Sequence, residues 1–367
     1  MPATPTAALP AAYPDPAFWR AIPKVLLHEH LDGGLRPQTL LDLCQQKNIT
    51  LPAHTQQAVA RWLQGNANSG SLERYVAAFA PTVAAMGDAA ACERVAFEAA
   101  EDAWNEGCVL AEFRMAPLLL QPHGLAGEAA VEALVAGLQR SSLPCALIVC
   151  AMRTDSAAQV ERAARLAARY AGQGVVGFDL AGGERGFPAT LHRRAIDIAR
   201  AAGLGITLHA GEADDGARVL EAIALGATRI GHGVRLAMGQ GAAQRMAQVA
   251  AMTVATTGSA TGGTNDPTAQ TGRKIHFEVC PTSNTHTGVC QHLSEHPLPA
   301  MWAAGLDVSI HTDNRLISGV THSQELANVH HTLGWPLAAI ASSMVAAASA
   351  SFMPATAREA AIRRISA

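Results

Sequence analysis

Val25-Leu26-Leu27-His28-Glu29-His30-Leu31-Asp32-Gly33-Gly34 decides the reading of the fold. Its continuous apolar start fits a strand buried on both faces, and the glycine pair ends it. Side chains alternate along a strand, so His28 and His30 share one face and Glu29 takes the other. Two imidazoles side by side at the end of an inner strand can hold one metal ion. Taken alone, the same pair can equally be two partly exposed histidines at a turn. The rest of the chain has to separate those readings.

Seven more apolar runs follow, near residues 109–114, 146–152, 175–180, 206–208, 229–230, 276–279 and 308–311, with Ala-rich amphipathic stretches between them. Eight strands alternating with helices predict an α/β fold, a (β/α)8 TIM barrel. A doubly wound open sheet is the alternative that strand counting leaves open. Residues 1–20 read as a disordered arm ending in a turn, and residues 21–367 as a single barrel domain. The connection across residues 30–108 is far longer than one helix needs. Within it Leu72, Val76, Phe79 and Val83 recur at helical spacing on one face. Residues 256–273, rich in Thr, Gly, Ala and Asn, read as a surface loop with no assigned role.

Hydrophobic residues make up 49% of the chain and charged ones 16%, and no apolar run approaches the length of a membrane span. A net charge of -3 offers no basic surface for nucleic acid. None of the 7 cysteines forms a Cys-x-x-Cys pair, which reads as a reduced, intracellular protein. Residues 1–20 lack the charged start and apolar run of a signal peptide, so the expected location is the cytoplasm.

Three further constellations bear chemistry. His209-Ala210-Gly211-Glu212 ends the fifth run, where Gly211 lets the chain bend so that Glu212 turns toward the same mouth. A carboxylate just beyond a metal-binding histidine suits proton transfer; a helix N-terminal glutamate is the bland alternative. Gly231-His232-Gly233 ends the sixth run, its glycines suggesting an unusual backbone. His311-Thr312-Asp313-Asn314 closes the eighth, with Asp313 a ligand or an N-cap. Four separate runs thus deliver His, Asp or Glu to their C-terminal ends, which in a closed barrel form one ring at the face that carries active sites. Three histidines and one aspartate suit zinc. The only lysines are Lys24, Lys47 and Lys274, so a middle strand offers none to bridge a second metal, and one ion is expected. Zinc would lower the pKa of a bound water to about 7.

Together these motifs resemble the adenosine deaminase family, from Pro23 to about Ala357. The resemblance includes Gly177-Phe178-Asp179-Leu180-Ala181-Gly182, Arg229-Ile230-Gly231-His232-Gly233 and Cys280-Pro281-Thr282-Ser283-Asn284. It implies a (β/α)8 barrel with an inserted helical lid after the first strand, to which the Leu72–Val83 face corresponds. It also implies one Zn2+ on His28, His30, His209 and Asp313, with Glu212 protonating purine N1. His232 and Asp313 would orient the attacking water and help take its proton, while the Gly182 N–H meets N3 and Asp32 and His30 face the ribose. The implied reaction is hydrolytic deamination of adenosine and 2′-deoxyadenosine to inosine and ammonia in purine salvage, on a small-molecule nucleoside. One position departs from the pattern: Asp313-Asn314-Arg315 stands where many members have Asp-Asp-Pro. The second acid ordinarily bonds purine N7, an acceptor that a neutral Asn314 can reach with its amide. That departure keeps a related 6-aminopurine, adenine or an aminofutalosine, in view as substrate. A catalytically silent adenosine-binding protein fits less well, because Glu212 and the ligand set are complete. Pro144-Cys145 followed by Cys150 is too widely spaced for the Pro-Cys-x-x-Cys of the cytidine-type deaminases.

Overall fold

The computed structural model describes residues 15–254 and 272–367. Eight parallel strands run in sequence order around one sheet: β1 (Lys24–His30), β2 (Cys108–Met115), β3 (Cys145–Met152), β4 (Val175–Ala181), β5 (Gly205–Ala210), β6 (Arg229–His232), β7 (His276–Val279) and β8 (Asp307–Ile310). Neighbours pair in consecutive order, as a barrel requires and a doubly wound sheet does not. The junction of β8 with β1 is made just past the eighth strand, by a parallel bridge between Glu29 and Asp313. There His30 N–H donates to the Asp313 carbonyl at 2.8 Å and Asp313 N–H to the His28 carbonyl at 3.0 Å. The barrel therefore closes on candidate site residues.

The strands are buried on both faces because helices cover the outside and side chains fill the inside. Unusually for a barrel core, much of the filling is charged. Arg114 on β2 pairs with Asp179 on β4 at 2.8 Å and with Glu278 on β7 at 2.5 Å. Arg229 on β6 pairs with Glu278 and Glu112, each at 2.5 Å, and Thr207 donates to Glu278 at 2.9 Å. Such charges tolerate burial only when each finds its opposite. Glu112 also accepts from Ser351 Oγ and the Phe352 N–H, both at 2.6 Å, which ties the C-terminal segment across the barrel floor. The Phe352 ring lies 4.0 Å beneath the Arg229 guanidinium. A side chain at Gly205 would run into that ring, so the floor needs glycine there.

The long first connection holds five α-helices and a short 3-10 turn, and of these Leu72–Ala77 and Ala80–Ala85 sit over the barrel mouth. The apolar face expected as one helix is thus two short ones broken at Ala78-Phe79, yet Leu72, Val76, Phe79 and Val83 all line the same cavity. Residues 1–14 of the expected N-terminal arm lie outside the described residues, but Pro16–Ala21 forms a helix rather than unstructured chain. Asp15 caps it and Trp19, 2% exposed, anchors it. The expected loop at 256–273 lies outside the described residues except for its last two positions. Among the described residues no single helix is long and apolar enough to cross a membrane.

Candidate active site

Each strand end presents its side chain with a partner behind it. His28 Nδ1 lies 2.8 Å from Glu278 Oε2, and His209 Nδ1 lies 2.9 Å from Asp179 Oδ2. A ring nitrogen facing a carboxylate carries the proton, so both rings turn an unprotonated Nε2 toward the cavity. Arg114 binds both of these carboxylates, which links the interior charge network to the orientation of the two rings.

Around those Nε2 atoms the site is crowded with acceptors. His28 Nε2 is 3.3 Å from Asp313 Oδ1, and His30 Nε2 is 3.5 Å from the same oxygen and 3.3 Å from His209 Nε2. One ligand atom each from His28, His209, His232 and Asp313 falls within 4.8 Å of the others. Buried His28 Nε2 has no hydrogen-bond partner. A buried lone pair left unpaired beside other nitrogen and oxygen lone pairs fits a cation. The tightest group is thus His28, His209, His232 and Asp313, with His30 beside it, 3.5 Å from Asp313 Oδ1. Burial lowers the pKa of His30, His209 and His232, keeping the imidazoles neutral as ligands must be. Burial works to raise the Asp313 carboxyl, but the His28, His232 and His30 rings packed around it hold it well below the usual carboxylate range.

Two site residues depart from ordinary backbone geometry. His232 and Asp313 both have φ of 61°, in the left-handed region that non-glycine residues seldom occupy. Such strain, of order 1–3 kcal/mol each, clusters where side chains must be aimed. For Asp313 the twist is fixed by the barrel-closing hydrogen bonds on both sides of its peptide, and Ser283 Oγ donates to its Oδ2 at 2.6 Å. Asp313 does not cap the next helix with its side chain; it turns inward.

Glu212 is not a helix N-terminal residue: the next helix begins at Ala217, and Gly211, with φ of 67°, turns Glu212 into the cavity. That bend is held by buried Glu184, which accepts the N–H groups of Gly211, Glu212, Ala213 and Asp214 at 2.5, 3.1, 2.8 and 2.9 Å. The Glu212 side chain accepts from Thr287 Oγ1 at 2.9 Å and Asn284 Nδ2 at 3.3 Å. Burial, reinforced by the charge of Asp313, pushes its carboxyl up to about 8, so it carries a proton at neutral pH.

The cavity between strand ends and lid has a volume of about 380 Å³. His30, Asp32, Gly182, Glu212, His232, Asp313 and Asn314 line one side and the apolar lid face the other. Asp32 Oδ1 is buried without a partner, and burial pushes its carboxyl up to about 7. Gly182 has φ of 91°, a conformation that favours glycine. Asn314 Nδ2 donates to the Tyr75 hydroxyl at 3.0 Å, which also meets Ser318 Oγ at 2.7 Å, joining the lid to the loop after β8.

Asn284, Asp179 and Arg229 stand in the motifs quoted above without an assigned role, and Glu184, Thr287, Tyr75, Arg114 and Glu278 lie outside those motifs. A charge inside an apolar run, as in Val109-Leu110-Ala111-Glu112-Phe113-Arg114, is a signal for the interior pairs. Glu184 and Thr287 leave no such mark.

A family model for adenosine deaminase matches residues 23–367. The adenosine deaminase of Mycobacterium marinum (strain ATCC BAA-535 / M) is 38% identical over 331 residues, covering 86% of this chain and 86% of its own. That of Mycobacterium sp. (strain JLS) is 39% identical over 343 residues, covering 90% and 91%. Among solved structures, the adenine deaminase of Arthrobacter aurescens superposes with a TM-score of 0.80 at 23% identity, covering 94% of this chain and 98% of that one. An amidohydrolase from Burkholderia ambifaria with bound Zn superposes with a TM-score of 0.77 at 22% identity, covering 94% and 90%. The structures share the fold, and the curated relatives share the sequence over nearly its full length: the chain is an enzyme of the adenosine deaminase family.

Proposed function

We propose that this enzyme hydrolytically deaminates adenosine and 2′-deoxyadenosine, releasing inosine or 2′-deoxyinosine and ammonia, with one zinc ion on His28, His30, His209 and Asp313. The observation that carries the reading is Glu212: a carboxyl kept protonated by burial, beside a cluster of neutral imidazoles, in a largely apolar pocket. Zinc supplies, when bound, a water of lowered pKa; the amidohydrolase from Burkholderia ambifaria contains this metal. Glu212 gives its proton to purine N1, which draws electrons from C6 and prepares it for attack. His232 orients the attacking water, and Asp313 receives its proton. The lid face of Leu72, Val76, Phe79 and Val83 excludes bulk water. Gly182 offers its peptide N–H for N3, and Asn314 its amide for N7.

The pocket chemistry favours a nucleoside. Among the described residues, no lysine or arginine lines the cavity to receive a 5′-phosphate. The unpaired Asp32 Oδ1 suits a sugar hydroxyl, which bare adenine lacks. Asn314 keeps adenine and aminofutalosine in the comparison, because its Nδ2 is already engaged by Tyr75. The seven cysteines are free thiols, in keeping with a cytoplasmic purine-salvage role.

The test is a substrate panel with zinc-loaded protein: adenosine, 2′-deoxyadenosine, adenine, an aminofutalosine and AMP, followed by ultraviolet absorbance and ammonia release. Adenosine and 2′-deoxyadenosine should give the highest kcat/KM. A higher value for adenine, aminofutalosine or AMP would overturn the substrate assignment, and no turnover on any with zinc bound would overturn the activity.

A further inference from the structure

A chain of hydrogen bonds enters the site from behind and ends on His232. The buried His296 ring accepts the Leu298 backbone N–H at Nδ1, at 3.1 Å. A peptide N–H can only donate, so this first bond has a fixed direction. Burial pushes the His296 imidazole down to about 3, leaving it neutral with a single proton, which must sit on Nε2. His296 Nε2 lies 3.2 Å from Asn284 Oδ1, so it donates there and fixes which end of the amide is oxygen. Asn284 Nδ2 then faces His232 Nδ1 at 3.1 Å and Glu212 Oε1 at 3.3 Å, and donates to both. His232 Nδ1 is an acceptor, and in a neutral ring the proton falls to Nε2.

We propose that His296 is a positioning residue for the deamination: through Asn284 it holds His232 as the Nε2–H tautomer, a hydrogen-bond donor facing the cavity. The inference rests on the reaction proposed above. It has two consequences at the site. A protonated Nε2 has no lone pair to offer, so His232 is excluded as a metal ligand although its distance qualifies, and His30 completes the set with His28, His209 and Asp313. The same amide occupies Glu212 Oε1, reserving Oε2, 3.5 Å from His232 Nε2, as the oxygen that carries the acid proton. Turned the other way, the amide would offer Oδ1 to both groups. His232 would then adopt the opposite tautomer and the Glu212 proton would move to Oε1, away from the substrate.

The test reads the tautomer directly. Zinc-loaded protein carrying 15N-labelled histidine gives the protonated and unprotonated ring nitrogens distinct NMR shifts, with the His232 signals assigned by their loss in His232→Asn. The wild-type protein should show His232 protonated at Nε2 and His296 at Nε2. His296→Ala should mix or reverse the His232 tautomer and lower kcat about 10-fold to 100-fold, with KM for adenosine and metal content little changed. His296→Gln, which restores a donor near the same point, should recover both the tautomer and most of kcat. His232 protonated at Nδ1 in the wild-type protein would overturn the proposal even if His296→Ala failed to fold. So would an unchanged tautomer in folded His296→Ala, or no recovery in His296→Gln. Because the NMR readout needs no substrate, a wrong substrate assignment would leave it intact.

Discussion

The barrel floor and the barrel mouth are both full of buried polar side chains, and they treat them in opposite ways. On the floor side Arg114, Arg229, Glu112, Asp179 and Glu278 pair almost completely, at 2.5 to 2.8 Å. At the mouth His28 Nε2, Asp32 Oδ1 and Asn314 Oδ1 are buried with no hydrogen-bond partner, and His232 and Asp313 are held at positive φ. Leaving one such atom unpaired costs about 1–3 kcal/mol. The floor carboxylates are satisfied by the arginines beside them, whereas at the mouth three buried atoms around one cavity are left open to a ligand.

The largest effect should come from the mouth and leave stability alone. Glu212→Gln keeps the shape and both hydrogen-bond contacts but lacks the transferable proton, so kcat on adenosine should drop about 10²-fold to 10⁴-fold. Metal content and unfolding midpoint should match the wild-type protein. Full activity would remove Glu212 as the acid. In the wild-type enzyme kcat/KM should also fall on the alkaline side as this carboxyl, raised by burial, loses its proton.

Breaking the floor should do the reverse. Arg114→Leu strands Asp179 in the interior without a cation and leaves Glu278 with Arg229 alone, a loss on the order of 3–5 kcal/mol in a urea melt. Zinc affinity should weaken as well, because these carboxylates orient His209 and His28. A melt unchanged from wild type would mean the pairs do not support the barrel.

Glu325 sharpens the comparison at the border. It accepts the Thr282 N–H at 2.6 Å beneath the helix carrying Ser283 and Asn284, and burial raises its carboxyl from 4.5 to about 7. The folded protein therefore holds this proton between those values while the unfolded chain releases it. Its contribution to stability is present below pH 4.5 and lost as pH rises through about 7. Glu325→Gln should be more stable than wild type at pH 8, by on the order of 1–3 kcal/mol, with the gap closing at pH 5. An equal gap at both values would rule out this ionisation. The smallest effect is expected at the lid: Tyr75→Phe removes the hydroxyl between Asn314 and Ser318 and should raise KM about 2-fold to 10-fold with kcat nearly constant.

The floor and the mouth also differ in how openly the sequence declares them. The strands were legible because each is a short apolar run, and His28, His30, His209, Glu212, His232 and Asp313 because each stands where such a run stops. Their convergence followed from barrel geometry. The positive φ of His232 was foreshadowed by its flanking glycines; that of Asp313 was not, since it arises from pairing with β1, a contact remote in sequence. Glu184 was hidden for a similar reason. Its task is to gather four peptide N–H groups of another loop, and a backbone donor leaves no trace in residue types. The lid's apolar spacing was visible, and so was a cause of its break at Ala78-Phe79: Pro81, in the first turn of the second short helix, has no N–H with which to continue the first.

The junction between the last strand and the first has a thermodynamic consequence. Among the described residues it is a single bridge with two backbone hydrogen bonds, and the groups that make them belong to His28, His30 and Asp313. An ion held by His28 from one side and Asp313 from the other would be a rivet through the seam of the hoop. Binding free energy then adds to the work of opening the barrel, in proportion to the logarithm of free metal. Chelation would cut activity and slacken the whole cylinder at the same stitch, with amide exchange quickening first along β1 and β8.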